Sequence, residues 1–562
     1  MITSSRATIV IAIAIGACGP AAPGAPALSR GAAAAPAFAE LRDRVLAQLL
    51  SDAPARAREL GLHAYDGAVA SASGPALGSQ IAALRRAAGE LAAIDASRLS
   101  PDDALDLAEL QIWVERSLFA LVDRDEPHTL PQYYGYLFAA DTYLDRDYAS
   151  LEVRARALLD QERASLREVA NVRGNLRLPL SKPVAEVAAR DYAGYAEYLR
   201  GDVARMMGAA GDAAFRAEFA RVNGALADAA AELGAWLARQ AEVGDDSHVL
   251  GPERFAKLLR VQEGLTAPLD ELERINERDL AANKAAFDAL APTVTETPVP
   301  EADVLPTAAR MVREARAFVI DHGIVTLVSD GEVAVRETPP YARWNPASLD
   351  AGGPFDPVAT AFFQVTIPDA SWPSKERQAY LGTEGRLRET AVHEVYPGHF
   401  VQAQWARRAP TRVQKAFQSD AFVEGWATYA EMMMVDEGLG ADDPANRLAA
   451  LRLALKKNCR FAAAFGIHAH GMTVEEATRR FETDCYVSPA AAREQALRAT
   501  FDPGYFAYAL GKLEILALRD EAYRALGARF SLRAFHDALL AHGAPPVALI
   551  HDRVLHDLEH PR

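Results

Sequence analysis

At 562 residues, with 50% hydrophobic and 24% charged content, the chain carries enough apolar material for a large core, in one big helical domain or two lobes, and it is not a disordered polymer. A formal net charge of −16 and a pI near 5.4 argue against a nucleic-acid or anionic-membrane surface, which needs clustered Lys and Arg. Plain solubility accounts for the acidity.

The chain opens with Met1 to Arg6, a mostly apolar run from Ala7 to Ala17, and Cys18. A singly charged start followed by an apolar run too short to span a bilayer is the pattern of an export signal over residues 1–18. Ile15-Gly16-Ala17-Cys18 resembles a bacterial lipobox, which would make Cys18 the lipidated first residue of the mature protein. An ordinary signal peptide cut nearby is the plainer alternative. Residues 19–36, rich in Ala, Pro and Gly, read as a flexible tether from membrane to domain. Gly19, where an Asp would signal otherwise, points by analogy with lipoprotein sorting to a periplasmic protein anchored in the outer membrane.

From Phe38 to Val122 amphipathic helices are expected, broken at Asp52-Ala53-Pro54 and at Ser100-Pro101-Asp102, the second a helix start with proline at its first position. Ser150 to Ala241 is Ala-, Arg- and Leu-rich with apolar residues three and four apart, the pattern of packed scaffold helices. Tyr192, Tyr195 and Tyr198 lie three apart, as core or groove lining would. Glu253 to Ala289 is helical again, and the Pro- and Thr-rich run 292–300 is a break. It divides a helical scaffold lobe, 37–291, from a catalytic lobe, 292–562. A helix from Ala302 to Ile320 is then followed by Ile324–Val328, the turn Ser329-Asp330-Gly331, and Glu332–Arg336, a hairpin by its β-branched content and its Asp-Gly. Thr360 to Ile367 is a third strand candidate.

The chemistry concentrates in Thr390 to Phe400, which contains His393-Glu394-Val395-Tyr396-Pro397-Gly398-His399. A zinc hydrolase needs two neutral imidazoles on the metal, a third protein ligand, and a carboxylate kept off the metal to take a proton from bound water. His399 is six residues after His393, about 240° round an unbroken helix, so the two can share a metal only if the backbone bulges. Pro397-Gly398 is suited to make that bulge, since proline removes a helical N–H and glycine tolerates almost any φ. The bland reading is a helix that ends there, with His393 packing and His399 in the next element.

Downstream, Ala421 to Glu431 is an apolar, helix-favouring run with Glu424 and Glu431 seven apart, within about 20° of one face. Buried carboxylates are costly unless paired or bound to metal, although an exposed acidic face would show the same spacing. Arg447 to Phe465 carries Lys456, Lys457 and Arg460, which either form an exposed face, the safer expectation, or point a cation at substrate. His468 and His470, two apart, point about 160° from each other and are not joint ligands, though one could enter a cleft. Cys459 and Cys485 could pair in an exported chain or remain free buried thiols. Asp502 and Pro503 read as N-cap and first residue of a helix on which Tyr505, Tyr508 and Lys512 lie within about 60° of each other.

The run His393 to His399, the run Glu424-Gly425-Trp426-Ala427-Thr428-Tyr429-Ala430-Glu431, Gly466 to Thr473, and Pro503 to Lys512 together resemble the bacterial family called domain of unknown function 885, over roughly residues 40 to 560. That family is grouped with the zincin metallopeptidases. The resemblance implies a mainly α, large multi-helical zincin-like fold with a small β-sheet beside the active-site helix, and an exported zinc metallopeptidase. Glu424 resembles the third ligand of gluzincins, and the 360–367 strand resembles the edge along which zincins hold extended substrate; a small structural sheet is the alternative. The expected mechanism places Zn²⁺ on His393, His399 and Glu424, with Glu394 as general base toward a metal-bound water. Glu431 would orient a ligand, and Tyr508 first, then Tyr505 or Lys512, would face the developing oxyanion, with buried tyrosines bonded to backbone as the plainer alternative. The substrate would be a peptide or small amide in the cell envelope, with no nucleic acid, and with the membrane reached through the lipid on Cys18. A non-peptide amide or ester hydrolase and a non-catalytic, lipid-anchored helical binding module are the competing readings. Nothing in the pattern sets an oligomeric state.

Overall fold

The computed structural model describes residues 34–339, 346–357, 360–368 and 372–560. The expected export signal with Cys18, and the tether up to residue 33, lie outside the described residues. Helix α1 (Ala34–Asp52) takes up the last three residues of the expected tether. It packs with α2 (Gly74–Ala92) and α3 (Pro101–Leu118) through Leu46, Leu84, Leu110 and Trp113. The start of α3 is the expected one, with Pro101 in its first turn and the Ser100 hydroxyl accepting from the Asp103 N–H.

A second core is built by α4 (Leu151–Asn175), α5 (Lys182–Tyr198) and α6 (Ala213–Glu242). Tyr192 lies inside it and donates to the Pro131 carbonyl at 2.8 Å, so the tyrosine stripe lines core. The chain continues through α7 (Pro252–Glu263) and α8 (Leu269–Leu290) to the expected break at 292–300. That break does not interrupt packing. Phe255, Leu258 and Phe287 before it share one apolar cluster with Leu451, Phe465 and Phe506 after it.

Helix α9 (Val304–Asp321) is followed by strands β1 (Val333–Glu337), β2 (Ala347–Asp350) and β3 (Ala361–Val365) in the order β1-β3-β2. The expected hairpin does not form: β1 pairs with β3 in parallel, and β2 pairs with β3 antiparallel. The physical reason is that side chains take the backbone groups a first strand would have used. His536 Nδ1 donates to the Ile324 carbonyl at 2.7 Å, Asp537 accepts from the Thr326 N–H at 2.8 Å, and Trp405 Nε1 donates to the Thr326 carbonyl at 3.1 Å. Because β3 is the middle strand, both its edges are occupied, and it cannot hold an extended peptide as the zincin resemblance implied.

The C-terminal half holds α10 (Glu384–Glu394), α11 (His399–Ala406), α12 (Asp420–Asp436), α13 (Pro444–His470), α14 (Val474–Cys485), α15 (Pro489–Phe501), α16 (Ala507–Leu526) and α17 (Leu532–Leu540). Helix α12 is apolar on nearly every face, as a helix surrounded by protein must be. It meets α16 at glycine against glycine: a Cβ on Gly511 would stand 1.7 Å from the Ala421 carbonyl oxygen, and one on Gly425 2.5 Å from Gly511 Cα. Cys459 of α13 and Cys485 of α14 are disulfide-bonded, which settles the alternative of free thiols. No helix among the described residues is long and apolar enough to cross a membrane.

Candidate metal centre

Helix α10 begins with the Thr383 hydroxyl accepting from the Arg386 N–H and ends at Glu394. Val395 leaves the helical path, the Tyr396–Pro397 peptide is cis, and α11 begins at His399. The two histidines therefore sit on two helices, one at the end of α10 and one at the start of α11, and the opposition expected of an unbroken helix disappears. The Gly398 N–H donates to the Val392 carbonyl at 3.0 Å, while Trp426 Nε1 from α12 donates to the Pro397 carbonyl at 2.9 Å. Those bonds satisfy groups that the helix end leaves open. Gly398 is required for space rather than for its φ of −64°, since a Cβ there would lie 1.8 Å from the His393 carbonyl oxygen.

The turn brings the two imidazoles edge to face, with ring centres 4.7 Å apart, and aims both at Glu424 of α12. Glu424 Oε2 is 3.5 Å from His393 Nε2 and 3.6 Å from His399 Nε2. One ligand atom from each of the three lies within 4.8 Å of the others. Three donors on a single tetrahedral ion at about 2.0–2.2 Å stand about 3.4 Å from one another, and the two separations from Glu424 match that spacing. A second observation agrees: Glu424 Oε2 is buried and has no hydrogen-bond partner, which is costly for a carboxylate unless something positive meets it. Solvent reaches the three side chains, which are 14%, 18% and 26% exposed.

Behind the three candidate ligands, Glu431 Oε1 accepts from His393 Nδ1 at 2.8 Å, and the same oxygen accepts from the Lys457 ammonium. Seven residues after Glu424, Glu431 thus fixes the ring so that Nε2 faces Glu424. Burial opposes charge on all these groups, and their partners decide the outcome. The Glu424 and Glu431 carboxylates hold His393 up at about 9 against its burial and the Lys457 charge, while burial and the neighbouring His393 charge push His399 down to about 4. The two histidines hold Glu424 down at about 2 against its burial. Glu394, half-buried beside them, is pushed up to about 7 by burial, with His393 pulling the other way.

Several expectations need correction here. Lys457 is not on an exposed face; it is 4% exposed and spent on Glu431. The signal available was a lysine inside the long apolar run from Leu448 to Phe465. Asp502 does not cap a new helix: its carboxylate accepts from Arg498 Nε at 3.1 Å, its N–H closes α15, and α16 starts only at Ala507. Tyr505 is buried and its hydroxyl is committed to Gln495 at 2.6 Å. Lys512 is paired with Asp279. Tyr508 is half-buried, and burial and the Glu424 charge both raise its hydroxyl pKa, which keeps it a neutral donor. His468 donates to the Ala499 carbonyl at 2.7 Å and His470 meets Glu273 at 2.8 Å, so neither joins the His393–His399–Glu424 set. Trp426 is a residue that motif spacing alone did not single out.

The fold and this site define a mainly helical protein in which a broken helix and one crossing helix converge a His-His-Glu set on a point that solvent can reach. The chain belongs to the family described as bacterial protein of unknown function (DUF885), whose model matches residues 54–554. Among solved structures it is similar to a "putative lipoprotein of unknown function" from Shewanella oneidensis, 24% identical with a TM-score of 0.75, over 92% of this chain and 99% of that one. It is also similar to a "putative lipoprotein" from Colwellia psychrerythraea, 16% identical with a TM-score of 0.69, over 93% of this chain and 99% of the other. Both likenesses are of fold. No curated protein matches the chain.

Proposed function

We propose that this protein is a metal-dependent hydrolase, with zinc as the ion and peptides or small amides as substrates. The observation that carries the reading is the convergence of His393, His399 and Glu424 around an unpartnered carboxylate oxygen. Two imidazoles and a carboxylate are a donor set suited to Zn²⁺. When bound, such an ion supplies Lewis acidity toward a substrate carbonyl and toward water.

The remaining work falls to side chains of this chain. Glu394 takes the proton of the attacking water and returns it to the departing amine. Tyr508 donates a hydrogen bond to the carbonyl oxygen as charge develops on it. Glu431, held ionised by Lys457, keeps the His393 ring in the ligating orientation. The lipobox-like Ile15–Cys18, together with two similar structures described as lipoproteins, supports an anchor through Cys18 and a site of action in the cell envelope, at the periplasmic side of the outer membrane.

Elemental analysis of the purified full chain tests the reading directly. One zinc per chain is expected, and none in the His393→Ala variant. A parent protein that holds no metal after zinc loading would leave the lipid-anchored binding module as the better reading. Glu431→Gln is expected to weaken zinc binding by about 10- to 100-fold in a chelator competition. Equal affinity in the parent and this variant would remove Glu431 from the support of the site.

A further inference from the structure

Lys456 and Arg460 lie four residues apart on α13, one turn apart on the same face. Both are half-buried, and among the described residues neither has an acidic partner. In a chain with a formal charge of −16 that pairing failure is unexpected, because acids outnumber bases 76 to 60. The neighbouring cations are accounted for: Lys457 by Glu431 and Arg498 by Asp502.

Arg460 is positioned without being neutralised. Its Nε donates to Gln495 Oε1 at 2.8 Å, and its guanidinium carbon stands 4.8 Å from the ring centre of Tyr505 and 4.6 Å from that of Tyr508. Stacking of this kind holds the planar fork in place at little entropic cost while leaving it free to meet a planar anion. Tyr508, the ring that Arg460 covers, stands three residues before Gly511, where α16 meets Gly425 next to Glu424, and Lys456 precedes Lys457, whose ammonium pairs with Glu431 behind His393, so both side chains border the His393–His399–Glu424 set. Burial, then the charges of Arg460 and of Arg386, two turns before His393 on α10, push the Lys456 ammonium well below its usual range, and an arriving carboxylate would offset that.

We propose that Lys456 and Arg460 form a carboxylate subsite beside the His393–His399–Glu424 centre, and that the substrates are peptides that carry a carboxylate near the bond to be cut. The substrate class rests on the hydrolase reading above; the subsite itself does not. A free C-terminus close to the bond to be cut offers such a carboxylate. An acidic side chain offers the same group, and the two sources separate by experiment.

The test uses the full chain carrying Glu394→Gln, which holds peptides without turning them over, titrated calorimetrically with three pools of N-acetylated tripeptides. One pool has free C-terminal acids, the second has C-terminal amides without acidic residues, and the third has amides containing one glutamate. Acids are expected to bind at least about 10-fold tighter than neutral amides, the scale of a charge-assisted pair. The preference should vanish in the Lys456→Gln/Arg460→Gln double variant. Lys456→Gln alone, at a side chain with no hydrogen bond to lose among the described residues, gives the same readout should the double variant fail to fold. Tight binding of the glutamate pool assigns the subsite to an acidic side chain, and binding of the acid pool alone assigns it to the C-terminus. Equal affinity for acids and neutral amides, or a preference that survives both substitutions, overturns the proposal. Cleavage by the parent protein is scored separately: a preference without cleavage keeps the subsite and removes the hydrolase, and cleavage without preference does the reverse.

Discussion

Turnover of a cleaved peptide is expected to fall at least about 100-fold in the Glu394→Gln variant, with metal content unchanged. Glu394 follows His393 at the end of α10, and its half-buried carboxylate has no hydrogen bond or ion pair among the described residues. It stands beside the ligand set without belonging to it. Glutamine preserves the shape and the partial burial of this side chain but cannot accept and return a proton. Rate and metal content are therefore the two measurements that separate its possible roles. Loss of zinc along with activity would make Glu394 a ligand, and full activity with zinc retained would remove it from the chemistry.

Gly398→Ala should destabilise the protein by at least about 3 kcal/mol and abolish zinc binding. The added methyl would begin 1.8 Å from the His393 carbonyl oxygen and 2.4 Å from that of Val392, both main-chain atoms that no rotamer change can move. Inserting a methylene into a packed interior typically costs about 1–3 kcal/mol, and a clash with backbone belongs at or beyond the upper end of that range. Relief requires α10 and α11 to separate, which pulls His393 and His399 off their common point. Urea denaturation and elemental analysis of the same preparation check both halves. A variant with the parent's unfolding midpoint and one zinc per chain would show that the turn relaxes, and that Gly398 is not what holds the histidines together.

The site residues were legible because their chemistry contradicts their surroundings. His393, Glu394, His399, Glu424 and Glu431 are polar or charged groups set in apolar, helix-favouring runs, and such groups need partners wherever the chain buries them. The reason assigned to Gly398 was incomplete: conformational freedom is visible in a sequence, but the carbonyl oxygens crowding its α-carbon are not. Lys457 was misplaced for a related reason. Local periodicity puts a lysine outside by default, and only the arrival of Glu431 from another helix makes a buried ammonium affordable. The hairpin failed because Ile324 to Val328 has strand propensity, yet Trp405, His536 and Asp537, from distant parts of the chain, bind its backbone first.

What the sequence determined by itself was the helical class, the position of the helix break and the residue types able to hold a cation, because periodicity, proline and glycine geometry, and ligand chemistry are local properties. Only the tertiary structure decided that the break faces Glu424, that Trp426 secures it, that β3 is central, and that Lys456 and Arg460 stand without acidic partners. Those outcomes depend on which helices cross, and crossings are set by close approaches such as Gly425 against Gly511, where main chain meets main chain across residues far apart in the sequence.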